Sequence, residues 1–422
     1  PSMTGLAEDL RAFVEDRVVA AYETGSLAEL RKWIGRNKAL SVSLAAADWA
    51  AQGNRVFPFH LGDINLPTPA NIAEAMNVAI AEGKTGYCPA AGIMPLREAL
   101  ANDVGNRRGL KFAAANVVVQ PGGKPVIGKF LQVVMNPGDG VLYPSPGYPI
   151  YESQVDYFGG VAQPYRYIQT TTGFAIDRDH LRSQITPTTK VLIYNNLQNP
   201  LGCESSLDEM RALAELAIEH NLWVLSDEAY FEMRYSGTST SIASLPGMRE
   251  RTVILYTFSK KFAMTGWRLG AAVGPDELIA QITKINTNDE SCTTHFVQAA
   301  GVEALQGDQS GAQAILAELE RRRDAAVDEL QKIVGLVVAK PDSTFYLFPN
   351  VTKAMESLGF TDVANFADAA LRATGVSFCT RRHFGRPLPG ELEQYVRFAY
   401  SGISVDDIRL GLSTLREWIE AA

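Results

Sequence analysis

The stretch from Thr252 to Val273 reads TVILYTFSKKFAMTGWRLGAAV, and the rest of the chain is interpreted outward from it. Its first five residues, Thr252–Tyr256, are apolar or β-branched, which is typical of a buried parallel strand. Lys260 follows that strand after a short segment that contains hydroxyl residues. A desolvated lysine loses its proton more readily than a surface lysine, so its neutral amine can form a Schiff base with an aldehyde. The stretch therefore predicts a reactive lysine at the end of a strand.

Two hydroxyl groups and one guanidinium accompany this lysine in the sequence. Thr257 and Ser259 precede Lys260, and Arg268 follows it. These side chains are suitable hydrogen-bond donors for a phosphate dianion. A small molecule that carries both an aldehyde and a phosphate is pyridoxal 5′-phosphate. Taken alone, a Ser-x-Lys sequence is more often a solvated turn, so the wider motif has to decide between the two interpretations.

The wider motif is Thr257–Gly270, TFSKKFAMTGWRLG, and it resembles the lysine motif of fold-type I pyridoxal-phosphate enzymes in the class I/II (aspartate aminotransferase-like) aminotransferase family. The resemblance implies that Lys260 holds pyridoxal 5′-phosphate and moves a proton on the substrate. It also implies an α/β fold, a three-layer sandwich with a mostly parallel sheet, accompanied by a smaller α+β domain. Shorter motifs extend the resemblance from about Phe59 to the C-terminus.

Composition and charge narrow the classes of function. The chain has 422 residues, enough for two or three domains, and a net charge of −8 with a pI near 5.3. This acidic balance argues against a general binder of nucleic acid or of an anionic membrane surface. The four cysteines lie far apart and have no metal-ligand spacing. We therefore expect free thiols, no metal site and a cytoplasmic location.

The pattern of apolar residues indicates the domain organisation. From Asn116 onward, short apolar runs alternate with amphipathic runs, as expected for a mostly parallel sheet covered by helices on both faces. Residues 4–53 have helical spacing. We expect residues 1–58 to form an N-terminal helical arm of the small domain, 59–310 the large cofactor-binding domain and 311–422 the C-terminal small domain. The predicted small-domain strands are Leu336–Ala339, Phe345–Phe348, Val376–Phe378 and Tyr395–Tyr400.

A Gly122-Gly123-Lys124 turn lies between a predicted strand and a predicted helix. Backbone N–H groups and the helix dipole make this position suitable for an anion, although a Gly-Gly sequence is more often a plain tight turn. The resemblance implies that Gly123 and Lys124 lie at the cofactor phosphate, together with the hydroxyls and guanidinium described above. It also implies that Tyr87 reaches the same phosphate from a partner subunit, and hence a homodimer with shared active sites.

Asp227 closes the predicted strand Leu222–Ser226, and Tyr230 follows shortly after it. The resemblance implies that the Asp227 carboxylate keeps the pyridine nitrogen of the cofactor protonated, so that the ring accepts electrons from the substrate. Tyr230 and Asn199 are implied to hydrogen-bond the ring oxygen, and Tyr148 to stack on the ring. Without the motif, Asp227 would be interpreted as a turn former and Tyr148 as a core aromatic. The candidate catalytic residues are Lys260, Asp227 and Tyr230.

Arg397 lies inside an apolar predicted strand, where an arginine is costly to bury without an anionic partner. The resemblance implies that it pairs with the α-carboxylate of the substrate. A bidentate guanidinium fixes both carboxylate oxygens and so orients the Cα–H bond. Gly62 and Asn199 are implied to contact the same carboxylate region.

Three further cations are candidate contacts for the far end of the substrate. Lys124 occupies a position that in some family members meets a side-chain carboxylate. Arg381 and Arg382 stand where close relatives tend to have a Pro-Gly pair. If these side chains line the pocket mouth, the substrate carries a carboxylate or phosphate beyond its α-amino acid group. The alternative is that both arginines are surface charges or pair with Glu391 and Glu393.

The resemblance implies an aminotransferase that acts on an amino acid and a 2-oxo acid. The same cofactor residues also serve elimination, replacement and carbon–carbon bond formation, so those reactions are the alternatives. A second class is a pyridoxal-phosphate-sensing transcription regulator, which requires a basic DNA-binding module before the aminotransferase part. Residues 1–55 carry acidic residues throughout and are too few for that module and its linker.

Overall fold

The computed structural model describes residues 38–421. The helical arm predicted over residues 4–53 therefore lies mostly outside the described residues, and its last part is a helix. The helices, in chain order, are α1 (Lys38–Ala51), α2 (Ala70–Ala81), α3 (Met94–Arg108), α4 (Lys124–Val134), α5 (Ile150–Tyr157), α6 (Arg178–Ser183), α7 (Leu207–Glu219), α8 (Asp276–Asp289), α9 (His295–Gln306), α10 (Ser310–Leu330), α11 (Thr352–Ser357), α12 (Val363–Thr374) and α13 (Val405–Glu420).

The strands form one large sheet and two small ones. Within the described residues they are β1 (Phe57–Pro58), β2 (Val117–Gln120), β3 (Gly140–Ser145), β4 (Val161–Thr170), β5 (Gly173–Ile176), β6 (Thr189–Asn195), β7 (Trp223–Asp227), β8 (Thr252–Thr257), β9 (Gly270–Val273), β10 (Tyr346–Leu347), β11 (Val376–Ser377), β12 (Cys379–Thr380) and β13 (Val396–Ala399).

The large sheet has eight strands in the order β2-β9-β8-β7-β6-β3-β4-β5. Strands β8, β7, β6, β3 and β4 are paired in parallel, β2 runs in the same direction, and β9 and β5 are antiparallel to their neighbours. This arrangement confirms the predicted mostly parallel sheet. The carboxyl ends of β2, β3, β6, β7 and β8 meet at one edge, and that edge carries the polar residues of the sequence motifs.

Both faces of the sheet are buried, as the continuous apolar character of β8 predicts. Every residue of β8 is buried. Ile254 and Tyr256 belong to one hydrophobic cluster, whereas Val253 and Leu255 belong to another. Successive side chains of a strand point to opposite faces, so the two clusters are the two helix-covered layers of a sandwich.

The smaller domain has an antiparallel three-stranded sheet, in the order β10-β13-β12, and a parallel pair formed by β1 and β11. Helices α10, α12 and α13 pack with these strands around a core rich in phenylalanine, which includes Phe366, Phe378 and Phe398. The pairing of β1 with β11 joins the segment before the large sheet to the C-terminal part of the chain. The domain boundaries at residues 58/59 and 310/311 stay predictions.

Some local predictions were wrong or incomplete. The strand predicted at Leu336–Ala339 is absent, and Val337 forms only an isolated bridge with Asn350. The sequence analysis did not identify β4 and β5, which form a hairpin at the sheet edge, because their half-exposed polar alternation lacks the apolar run used to find the other strands. All four cysteines are free thiols, as predicted. In residues 38–421, no helix combines the length and the apolar character needed to cross a membrane.

Candidate active site

A cavity of about 410 Å³ opens at the carboxyl edge of the large sheet. It lies between that edge, the loop after β1 and the small domain. Parallel strands bring their carboxyl ends to one edge, which is where open α/β sheets bind ligands. The residues predicted from the sequence that line this cavity are Gly62, Gly123, Lys124, Tyr148, Asn199, Asp227, Tyr230, Thr257, Ser259, Lys260, Arg268 and Arg397.

Lys260 follows β8 and projects into the cavity. Its Nζ donates a hydrogen bond to the carbonyl oxygen of Gly62 at 3.1 Å. Burial lowers the pKa of Lys260 to about 8, although the carboxylate of Asp63 acts in the opposite direction. A larger fraction of this amine is therefore neutral near pH 7 than for a surface lysine. The site thus contains an amine that is suited to nucleophilic attack and proton transfer.

Asp227 is the last residue of β7 and is buried. Tyr151 donates its hydroxyl proton to Oδ2 at 2.6 Å, and the backbone N–H of Ala229 donates to Oδ1 at 3.1 Å. Burial raises the pKa of Asp227 to about 6, while these two hydrogen bonds counteract the effect. The carboxyl group is thus held in one orientation at the cavity wall, where its carboxylate can accept a hydrogen bond from a protonated ring nitrogen and stabilise that charge.

The sequence analysis missed Tyr151, which is fully buried in α5 and reaches Asp227 across the sheet edge. The signal in the sequence was its position three residues after Tyr148. In the structure the backbone N–H of Tyr151 donates to the carbonyl oxygen of Tyr148 at 3.1 Å, in the turn that leads into α5. The two rings pack edge to face, with centroids 5.8 Å apart. Tyr151 is therefore a positioning residue for Asp227.

Replacing the hydroxyl of Tyr151 tests this positioning role. Tyr151→Phe is expected to lower kcat about tenfold, because a hydrogen bond to a charged group contributes about 1.5–3 kcal/mol. The pKa of Asp227 rises further when the donor is lost, so the acid limb of the kcat–pH profile should move to higher pH. Tyr157→Phe, on the same helix but exposed, is the matched control. An unshifted acid limb in Tyr151→Phe would contradict the role.

Gly122 and Gly123 form the turn between β2 and α4. Gly122 has φ +98°, and a Cβ there would lie 2.2 Å from Nη2 of Arg268, so no side chain fits. Arg268 is held by the carbonyl oxygen of Thr265 at 2.7 Å. The Thr257 and Ser259 hydroxyls lie 2.9 Å apart and face the same cavity.

These groups have the chemistry of a phosphate site. Helix N–H groups, two hydroxyls and a guanidinium are all donors, and a glycine lets the backbone come close to the ligand. Together with the amine of Lys260 and the carboxyl group of Asp227, this donor set fits pyridoxal 5′-phosphate.

Arg397 lies on β13 and is buried. Its Nη1 donates to Asn199 Oδ1 at 3.1 Å and its Nη2 donates to the carbonyl oxygen of His60 at 3.0 Å. Its Nε is sealed from solvent and has no hydrogen-bond partner among residues 38–421. These two acceptors are neutral, so the guanidinium charge is available to an anionic group in the cavity.

Two more aromatic residues complete the wall beside Arg397. Its guanidinium lies 4.5 Å from the ring centroid of Tyr346 and 4.8 Å from that of Phe384. The hydroxyls of Tyr230 and Tyr346 are 2.8 Å apart. A Cβ on Gly62 would lie 2.9 Å from the Tyr346 hydroxyl oxygen, so a glycine is required for this close approach. The sequence analysis missed Tyr346, because it lies in an apolar strand.

Tyr87 does not line this cavity and is 89% exposed. An aromatic side chain this exposed is unusual in a folded domain and is typical of a contact surface. The prediction that it reaches the phosphate site of a partner subunit concerns an assembly, and it stays a prediction.

Arg381 and Arg382 are not among the residues that line the cavity, in contrast to the prediction. Arg381 is buried, and its Nη2 lies 2.7 Å from Glu391 Oε1 and donates to Ser145 Oγ at 2.9 Å. Its Nη1 donates to carbonyl oxygens of the following turn. Arg382 pairs with Asp362 at 2.7 Å. The physical reason is that nearby acceptors satisfy both guanidinium groups. For Arg381 this is the alternative interpretation, in which the side chain pairs with Glu391.

The ion pair of Arg382 is half exposed, so its removal is expected to have little effect. Surface pairs contribute roughly 0–1 kcal/mol. Arg382→Ala should therefore change KM for an amino acid by less than about twofold and stability by at most about 1 kcal/mol. Steady-state kinetics and thermal unfolding measure the two quantities. A large rise in KM would restore the earlier hypothesis of a substrate contact.

Comparisons with known proteins agree with this geometry. The family model for aminotransferase class I and II matches residues 55–415. An aspartate aminotransferase of Geobacillus stearothermophilus is 32% identical over 384 residues, covering 90% of this chain and 96% of the relative. An asparagine–oxo-acid transaminase of Streptococcus mutans is 34% identical over 368 residues, covering 86% of this chain and 91% of the relative.

A solved structure of a Thermus thermophilus aspartate aminotransferase double mutant has a TM-score of 0.81 and 31% identity, covering 90% of this chain and 96% of its own. Fold, sequence and family model thus agree over nearly all of the described residues. The predicted fold class and enzyme class are confirmed, and the chain belongs to the aminotransferase class I and II family.

Proposed function

We propose that this aminotransferase binds pyridoxal 5′-phosphate in the cavity and transfers the amino group of an α-amino acid to a 2-oxo acid. The observation that carries the proposal is that Lys260 and Arg397 line one cavity, and that the hydrogen-bond acceptors of Arg397 among residues 38–421 are neutral. An amine with a lowered pKa and an available guanidinium match an aldehyde cofactor and a carboxylate substrate respectively.

The cofactor end of the site would be formed by residues of the large domain. Gly123, Lys124, Thr257, Ser259 and Arg268 would hold the phosphate, and Tyr148 would pack on the ring. When bound, pyridoxal 5′-phosphate supplies an aldehyde for covalent attachment to an amine and a ring that withdraws electrons from the substrate Cα. Each of these protein groups lines the cavity, which supports the assignment.

The groups that would hold or transfer protons line the same cavity as the phosphate-binding groups. Lys260 would attach the cofactor, be released when the substrate amine replaces it, and then carry the proton to and from the substrate Cα. Asp227 would hold a proton at the ring nitrogen. Tyr230 and Asn199 would donate hydrogen bonds to the ring oxygen. Asn199 also accepts from Arg397 Nη1, so it would link the cofactor and substrate ends of the site.

The substrate end would be organised by Arg397. Its guanidinium would bind the α-carboxylate in a bidentate fashion, which would fix the Cα–H bond relative to the Lys260 amine. Gly62 would contact the same carboxylate through its backbone. Of the three cations expected at the far end of the substrate, Lys124 alone lines the cavity, so Arg381 and Arg382 are left out of the proposed substrate contacts.

The proposed assembly is a homodimer. Tyr87 is outside the cavity of its own chain and highly exposed, and the resemblance assigns it to the phosphate site of a partner subunit. This arrangement would complete the phosphate site only on association. A Tyr87→Ala variant that binds the cofactor as tightly as the wild type would contradict it.

The test is a panel of L-amino acids offered to the purified protein with its cofactor. Amino transfer should change the visible spectrum of the bound cofactor, and mass analysis should find the matching 2-oxo acid. Addition of a 2-oxo acid acceptor should reverse the spectral change. Products of elimination, replacement or carbon–carbon bond formation in place of a 2-oxo acid would contradict the proposal, although those reactions are not favoured by the relatives, which are named aminotransferases or transaminases.

A further inference from the structure

His60 presents a polar group to the cavity that the proposed function does not use. The residue is only 7% exposed and lines the cavity wall. Its backbone carbonyl accepts the hydrogen bond of Arg397 Nη2 at 3.0 Å, which places the residue directly beside the guanidinium. A buried histidine at the substrate end of a cavity can discriminate between substrates through the hydrogen bonds of its ring nitrogens.

The contacts of Nδ1 define where the ring proton lies. Nδ1 is 2.7 Å from Ser377 Oγ, and Ser377 Oγ donates to the carbonyl oxygen of Phe57 at 3.2 Å. Ser377 has one hydroxyl proton, so both contacts are hydrogen bonds only when Nδ1–H donates to Ser377. If Ser377 instead donated its proton to Nδ1, the lone pairs of Ser377 Oγ and of the Phe57 carbonyl oxygen would face each other. The neutral ring therefore carries its proton on Nδ1 and a lone pair on Nε2.

Nε2 is the atom that remains for a ligand. It makes no hydrogen bond with any residue in the range 38–421. It is also not sealed from solvent, so a ligand can reach it. Burial, followed by the charges of Arg397 and His383, lowers the pKa of His60 to about 4. The ring is thus neutral at pH 7, and Nε2 is a hydrogen-bond acceptor.

The wall beside His60 is mostly uncharged. Around His60 and Arg397 it is formed by Leu61, Tyr346 and Phe384, by Cys379, whose thiol pKa is raised by burial, and by His383, whose Nδ1 accepts a hydrogen bond from the backbone N–H of Thr380 at 3.0 Å. Lys124 also lines the cavity and follows Gly123 of the proposed phosphate site. A carboxylate on the substrate side chain would face the lone pair of Nε2 without a proton to share.

We propose that His60 is a specificity-determining residue whose Nε2 accepts a hydrogen bond from an uncharged donor on the substrate side chain. The inference rests on the proposed function, because it takes Arg397 as the partner of the α-carboxylate. The substrate class is then α-amino acids with an amide or hydroxyl side chain, such as asparagine, glutamine or serine. Aspartate and glutamate, which have a carboxylate in place of the amide, are disfavoured.

Two variants separate the roles of the ring nitrogens. The amide of His60→Asn reaches only as far as Nδ1, so it can keep the Ser377 contact but leaves nothing at Nε2. The amide of His60→Gln reaches as far as Nε2 and can offer an acceptor there. Thermal unfolding checks that both fold, and the visible spectrum of the bound cofactor checks that its site is unchanged.

The measurement is kcat/KM for asparagine, glutamine, serine, aspartate, glutamate and alanine with one 2-oxo acid. The wild type should prefer a donor-bearing amino acid to its acidic or apolar counterparts. His60→Asn should lower kcat/KM for that amino acid about tenfold, chiefly through KM, the size of one lost hydrogen bond. The value for alanine should stay within about twofold, since alanine has no donor to lose. His60→Gln should recover most of the loss.

Two results would overturn the inference. One is a wild-type preference for aspartate, glutamate or alanine over all three donor-bearing amino acids. The other is an equal fall in kcat/KM for alanine and for the preferred amino acid in His60→Asn, which would indicate a structural role. Failure of the proposed function has a different outcome, because no amino acid would then yield a 2-oxo acid, and the inference would be lost with it.

Discussion

Replacing Lys260 with alanine is expected to abolish amino transfer while leaving the protein folded. General acid–base catalysis by a positioned group contributes about 10²–10⁴-fold, and loss of covalent attachment adds to it. We therefore expect kcat/KM to fall by at least about 10⁴-fold. The side chain is part-buried and donates a hydrogen bond to the carbonyl oxygen of Gly62, so the fold should tolerate its removal. Single-turnover kinetics and thermal unfolding measure the two effects.

The neighbouring lysine is the matched control for this variant. Lys261 follows Lys260 in the chain and does not line the active-site cavity, so Lys261→Ala should keep most of the activity. Borohydride reduction of the wild-type holoenzyme followed by peptide mapping should find the pyridoxyl group on Lys260. A modified Lys261 or Lys124 in its place would show that the assignment is wrong.

The lowered pKa of Lys260 gives this reactive amine a specific pH dependence. With a pKa of about 8, the neutral fraction of Lys260 rises from roughly a tenth at pH 7 to roughly nine-tenths at pH 9. The cofactor-free protein should therefore react with pyridoxal 5′-phosphate faster as the pH rises through this range. A rate that is constant between pH 7 and 9 and increases only above pH 10 would indicate an ordinary lysine.

Arg397→Ala is expected to have the second largest effect. Truncating one partner of a buried charge pair costs about 2–5 kcal/mol, which corresponds to a loss in kcat/KM of between roughly 30-fold and several thousand-fold. The loss should occur with every α-amino acid, because Arg397 is expected to contact the group that they share. Arg397→Lys should restore little, since a point charge cannot reproduce the bidentate geometry.

A carboxylate-free substrate analogue provides the control for Arg397. The wild type should discriminate strongly between alanine and ethylamine, which lacks the carboxylate. In Arg397→Ala the two amines should react at similar low rates, because only the carboxylate contact has been removed. Activity with alanine within a few-fold of the wild type would refute the role of Arg397 in carboxylate binding.

The sequence determined those parts of the molecule that depend on local pattern. The apolar run before Lys260 predicts a buried strand, and parallel strands necessarily bring their carboxyl ends to one edge. That rule was sufficient to assemble Asp227, Lys260 and the Gly122–Gly123 turn around one cavity. The mostly parallel sheet and the lysine motif were therefore predictable from residues that are close in the chain.

Contacts between distant segments could not be predicted in this way. Tyr151 on α5 donates to Asp227 on β7, and Arg381 donates to Ser145 on β3, 236 residues away, instead of lining the cavity. Each depends on the packing of the small domain or of α5 against the sheet edge. A sequence pattern reports which residues share a strand or helix face, but the partner of a buried polar group is decided by which segment supplies the nearest donor or acceptor.

His60 shows most clearly the difference between what the sequence predicts and what only the tertiary structure decides. In the sequence it is a single histidine in a loop rich in glycine and proline, without a motif that assigns it a role. Only the pairing of β1 with β11 brings Ser377 next to its ring, and only the position of β13 sets Arg397 against its carbonyl group. The sequence by itself determined most strands of the large sheet and the reactive lysine, because these follow from hydrophobic periodicity and a contiguous motif. Tertiary structure alone decided the protonation and environment of His60, because its neighbours Ser377 and Arg397 lie more than three hundred residues away in the chain.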